Sequence, residues 1–114
     1  MADTMTPSRL ARENVVYLGS GGRSEENHGS GFRPSFLDTD TGVVYLSRFS
    51  DGRLAPLHLL DGLPDGVVLT RSATGRVSEV KASIVSGFSR GGRFYTRDEA
   101  AWAMQADADW KMAA

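Results

Sequence analysis

Apolar residues in this chain come in short runs separated by turn signals. Val43-Val44-Tyr45-Leu46, Val67-Val68-Leu69-Thr70, Ile84-Val85 and Phe94-Tyr95 are rich in β-branched and aromatic side chains. Thr41-Gly42, Asp51-Gly52, Asp65-Gly66, Thr74-Gly75 and Gly91-Gly92 punctuate them. Short runs bounded by Gly, Asp and Ser read as strands joined by tight turns, so residues 36–95 predict an antiparallel meander. The clearest unit is the hairpin from Phe36 to Leu46, in which Gly42 takes the left-handed conformation that closes the turn.

The flanking segments read differently. Residues 1–13 are polar and are expected as a flexible tail, with a brief helical turn over Ser8–Glu13. Asn14-Val15-Val16-Tyr17-Leu18 reads as the first strand, and Gly19–Gly31 as a long glycine-rich loop. Pro56 at a first helical position and Gly62 at a stop suggest a helical turn carrying Leu57, Leu60 and Leu63 into the core. Strands are expected near 67–71, 76–80, 82–88 and 92–95. Thr96-Arg97-Asp98-Glu99 spells a capping box, and an Ala-rich helix follows over about 97–111. Trp102, Ala106 and Trp110 recur at spacing four. They form a stripe expected to pack on the sheet, with a partner anchored by Trp110 as the alternative. The fold class is therefore α+β: five to seven short, mostly antiparallel strands with the C-terminal helix on one face, in a single domain over 14–112.

Composition sharpens this picture in two ways. With 114 residues and no cysteine, the chain holds one core and no disulfide framework, thiolate metal site or cysteine nucleophile; that suits a reducing cytoplasm. No apolar run approaches the length of a membrane helix, and Met1-Ala2-Asp3-Thr4, without a basic or an apolar stretch, gives no expectation of an export signal. The net charge of −1 conceals segregation. Residues 36–66 carry five aspartates against Arg48 and Arg53. Residues 71–97 set Arg71, Arg76, Lys81, Arg90, Arg93 and Arg97 against Glu79 alone, and the final segment is acidic again. Such runs form solvated faces or pair within the molecule.

Candidate chemistry mostly fails on spacing. Gly19-Ser20-Gly21-Gly22-Arg23-Ser24 lacks both the last glycine of a dinucleotide fingerprint and a helix to follow it, and no lysine supplies a phosphate loop. Asp40-Thr41-Gly42 resembles the triplet of dimeric aspartic proteases, but the same residues make a good hairpin turn and Val43 stands where a small residue belongs. An EF-hand register places Val43 and Phe49 where glycine and glutamate are required. His28 lies beside loose carboxylates in the glycine loop, and His58 sits among leucines as a structural side chain. No catalytic set, metal site or cofactor site emerges.

What remains is a surface. Arg71, Arg76, Arg90, Arg93 and Arg97 interleave with Phe88, Phe94 and Tyr95. With Trp110 they are the expected partner-binding residues, suited to an acidic protein surface. Single-stranded nucleic acid is the alternative, opposed by the acidic helix next door. The stretches 36–42, 57–64 and 92–100 are similar to small uncharacterised proteins of GC-rich proteobacteria met among accessory genes of mobile elements. That resemblance implies an accessory context and no catalytic activity. The functional expectation is a non-catalytic protein-binding module, monomeric or homodimeric. It would be regulatory or inhibitory, of the counter-defence, anti-CRISPR-like kind.

Overall fold

The hairpin written into residues 36–46 forms as its turn residues dictate. Gly42 has φ +75° and donates to Asp38 O at 2.8 Å, while the Asp40 amide donates to Asp38 Oδ1 at 2.9 Å. Asp40 itself is exposed at the tip, in bulk water, which suits a turn and not an aspartic-protease dyad. The structure is a computed structural model that describes residues 4–17, 22, 29 and 31–113, with side chains as far as 106.

The hairpin strands are β1 (Arg33–Asp38) and β2 (Val44–Leu46). They join β5 (Ile84–Arg90) and β6 (Arg93–Thr96) in a four-stranded antiparallel sheet of order β2-β1-β5-β6. A second hairpin, β3 (Val68–Arg71) with β4 (Val77–Val80), forms a separate two-stranded sheet. Six antiparallel strands and a C-terminal helix, α2 (Arg97–Ala113), make this an α+β fold. Pairing of Phe36 with Ser86 and of Pro34 with Phe88 sets the β1–β5 register.

Three local expectations give way. Residues 14–16 are not a strand: α1 spans Pro7–Val16, capped by Thr6, whose hydroxyl accepts from Arg9 N at 3.1 Å, with Pro7 at its first turn. Val15 and Val16 are exposed on its last turn, so tertiary contacts on the other face outweigh their strand preference. Nor is the segment before residue 14 a free tail over its described part. Met5 is fully buried and bridges to Val80, and Leu10 is buried. The domain thus begins before residue 14. Residues 56–63 form bends instead of a helical turn. There Ser47 Oγ donates to Leu57 O at 2.8 Å and accepts from Leu59 N at 2.8 Å, engaging backbone groups that a helical turn would use, and Leu60 and Leu63 are buried while Leu57 is exposed. Of the loop 19–31, only Gly22, Gly29 and Gly31 fall within the described residues.

Two apolar clusters result. One joins Met5, Leu10, Phe36, Leu60, Val77 and Ile84 with their neighbours; the other joins Phe32 and Phe88 to Ala100 and Ala103 of α2. His58 stands between them, edge-on to Phe36 at 5.4 Å and to Phe88 at 5.1 Å. The polar residues around it position α2.

Candidate functional site

The capping box forms reciprocally: Glu99 N donates to Thr96 Oγ1 at 3.1 Å, and Thr96 N donates to Glu99 Oε1 at 3.0 Å. These bonds, led by the Thr96 amide, hold the Glu99 carboxyl below its ordinary range. They also fix where α2 starts, and so make Arg97 its first residue.

Arg97 turns inward and is 3% exposed. Its guanidinium donates to Asn14 Oδ1 (2.9 Å), Gly22 O (3.1 Å), Ser86 Oγ (3.1 Å) and His58 Nδ1 (3.1 Å), with Glu13 Oε2 at 3.6 Å. Ser86 Oγ in turn donates to Glu13 Oε2 at 2.5 Å. A buried charge is tolerated when it is paired and its donors are satisfied, and this one is. Arginine can only donate, so His58 Nδ1 must carry the lone pair and Nε2–H donates to Gly87 O at 2.7 Å. Burial and then the neighbouring Arg97 charge pull the His58 pKa down to about 3, which keeps the imidazole neutral. With both ring nitrogens engaged and Ser86 bonded elsewhere, the geometry assembles no serine–histidine relay. Tyr17 extends the junction: its hydroxyl donates to Asp98 Oδ1 at 2.6 Å. Burial, together with that carboxylate, raises its pKa to about 12.

Fixing Arg97 inward sets the phase of the helix. At 3.6 residues per turn, Trp102 lies about 140° round from Arg97 in one sense, whereas Ala100 and Ala103 lie about 60° and about 120° round in the other. Ala100 and Ala103 are accordingly buried against Phe32 and Phe88, their small side chains allowing close approach. The expected stripe therefore faces the other way: Trp102 is 75% exposed and Ala106 is exposed. Trp110 lies on α2, but its side chain is outside the described residues.

Beside Trp102 lies an open groove of about 610 Å³ between α2 and the β5–β6 hairpin, lined by Arg90, Arg93, Tyr95, Asp98, Glu99 and Trp102 with Ala103 and Ala106. Arg93 sits over the Tyr95 ring at 4.6 Å and reaches Glu99 Oε2 at 3.2 Å. Arg90 covers Phe32 at 4.1 Å. Stacking on rings orients both guanidinia and adds a modest attraction.

The expected arginine patch is thus divided. Arg90 and Arg93 share the groove. Arg71 and Arg76 belong to the separate β3–β4 hairpin and pair within the molecule, with Asp65 at 2.6 Å and Asp61 at 3.1 Å. Arg97 is withdrawn from the surface altogether, because its donors are required inside. Sequence reasoning missed Glu13, Asn14 and Ser86 and took His58 only as core. These residues are up to 84 positions from Arg97, and no local pattern links them. Among the described residues there is no group of three His, Cys, Asp or Glu able to hold a metal, and no helix is long and apolar enough to cross a membrane. Comparison with protein-family models, with curated proteins and with solved structures gives no match.

Proposed function

We propose that this chain is a non-catalytic protein-binding module whose contact surface is the groove between α2 and the β5–β6 hairpin. One observation carries the reading. Trp102 is 75% exposed on a helix that already packs its opposite side, with Arg90, Arg93 and Tyr95 next to it. Trp, Tyr and Arg are the residues enriched where a few contacts dominate binding. An exposed indole gains from burial, and guanidinia already stacked on rings lose little freedom on engagement.

The partner in this reading is a protein surface with an apolar centre for Trp102 and acidic side chains for Arg90 and Arg93. Asp98 and Glu99 on the other bank disfavour a nucleic-acid backbone. The role is regulatory or inhibitory, in an accessory context and in the cytoplasm.

The test compares proteins captured from bacterial lysate by the wild type, by Trp102→Ala combined with Arg93→Glu, and by Arg12→Glu. The last changes an exposed charge on α1. A protein retained by the wild type and by Arg12→Glu but lost from the groove variant, and shown to bind when purified, supports the reading. No such protein overturns it. So does salt-dependent binding of a labelled single-stranded oligonucleotide that the groove variant abolishes.

A further inference from the structure

α1 is tied to the rest of the molecule at its two ends. On the N-terminal side Thr4 Oγ1 donates to Glu79 Oε2 at 2.5 Å, and Val80 N donates to Met5 O at 3.0 Å. On the C-terminal side Asn14 and Glu13 hold Arg97. Pro7, Leu10, Ala11 and Asn14 follow helical spacing and share one face. That face overlooks a cleft of about 480 Å³ whose far wall includes Leu60 and Val77. Small-molecule sites run from about 300 to 1,000 Å³, with apolar walls and a few placed polar groups.

The polar groups of this cleft can be sorted by what they still offer; Ser78 Oγ donates to Thr70 O at 3.1 Å and Ser72 Oγ bonds Thr74 Oγ1 at 2.9 Å. Arg97 only donates, so it takes the oxygen of Asn14 and leaves the Asn14 NH2 as a donor without a partner among the described residues. His58 has both nitrogens engaged and presents only its ring. Asp61 accepts Arg76 through Oδ2 at 3.1 Å and 3.2 Å, and the Val77 amide through Oδ1 at 3.1 Å. The cleft therefore holds no uncommitted carboxylate, and the Arg76–Asp61 pair leaves it without net charge.

We propose that this cleft is a binding site for a small, neutral, mainly apolar molecule carrying a carbonyl acceptor. Its body lies along Pro7, Ala11 and Leu59, over the buried Leu10, Leu60 and Val77, and its oxygen accepts from the Asn14 amide. A cationic amine finds no carboxylate to receive it, because Asp61 is already taken. A carboxylic acid meets an arginine whose charge Asp61 has matched, and it gives up its hydration for little return. The cleft is separate from the groove of α2, and the two share no lining residue.

Acetophenone is the probe, titrated into the isotope-labelled full chain and followed by NMR. Saturable shifts are expected at the Leu10, Leu60 and Val77 methyls and at the Asn14 side-chain NH2, with the Trp102 indole unmoved. Intermolecular contacts from the probe's methyl protons to the same side chains should appear. Toluene, which lacks the acceptor, should bind about five-fold more weakly. Ala11→Phe, placed at an exposed position over the cleft, should abolish the shifts. Absence of saturable shifts in the wild type overturns the proposal, as does unchanged binding in a folded Ala11→Phe protein. Should Ala11→Phe fail to fold, the intermolecular contacts in the wild type decide alone. Benzoate binding more tightly than acetophenone would make this an anion site and overturn the neutral-ligand assignment.

Discussion

Acidification from about pH 6.5 to about pH 5 should cost the folded domain about 2 kcal/mol through His58 alone. The ring is 7% exposed, lies between two phenyl rings and has Arg97 Nη2 at 3.1 Å, so its pKa falls from 6.5 to about 3. Between those values the unfolded chain takes up a proton that the folded state refuses. The contribution is complete above the unfolded value and is lost as pH falls towards the folded one, at about 1.4 kcal/mol per pH unit. Glu99 and Asp51, each held below the ordinary carboxyl range first by a backbone amide, give up their own contribution only as pH falls past the unfolded carboxyl values of about 4, beneath this window. Urea unfolding followed by far-ultraviolet circular dichroism at about pH 7, 6 and 5 measures the slope. A His28→Gln background removes the other imidazole. Two results would refute the reasoning: equal stabilities across the window, or a slope that survives His58→Gln.

Thr96→Ala removes the hydroxyl that receives the Glu99 amide and should destabilise the start of α2 by about 1 kcal/mol. Faster amide exchange at residues 98–102, with exchange in β1 unchanged, is the expected signature. Gly42→Val forces a β-branched residue to φ +75° and should cost about 1 kcal/mol or more. An unaltered Tm would show that the hairpin turn has another conformation.

The elements whose information is local could be read from the sequence. The 36–46 hairpin, the strands near 68, 77, 84 and 93, and the capping box at Thr96 each depend on residues within a few positions of one another. Turn chemistry, β-branched runs and caps act over that range. Charge pairing was legible in outline. Asp65 lies six residues before Arg71 and Asp61 fifteen before Arg76, so the acidic segment meets the basic one that follows it.

Tertiary structure decided the rest, and one residue shows why. Whether Arg97 faces a partner or the core depends on Asn14, Ser86 and His58, which only the folded chain brings within about 3 Å of it. That network ties down the last turn of the helix over residues 7–16, which Thr6 and Pro7 start locally, although Val15 and Val16 favour strands. It also rotated α2 so that alanines met the sheet and Trp102 met solvent. Helical periodicity specifies which residues share a face, but not which face is buried. That choice is made by contacts distant in sequence. The same contacts turned an apparent surface arginine into the centre of the fold and an apparent core tryptophan into the exposed indole of the groove.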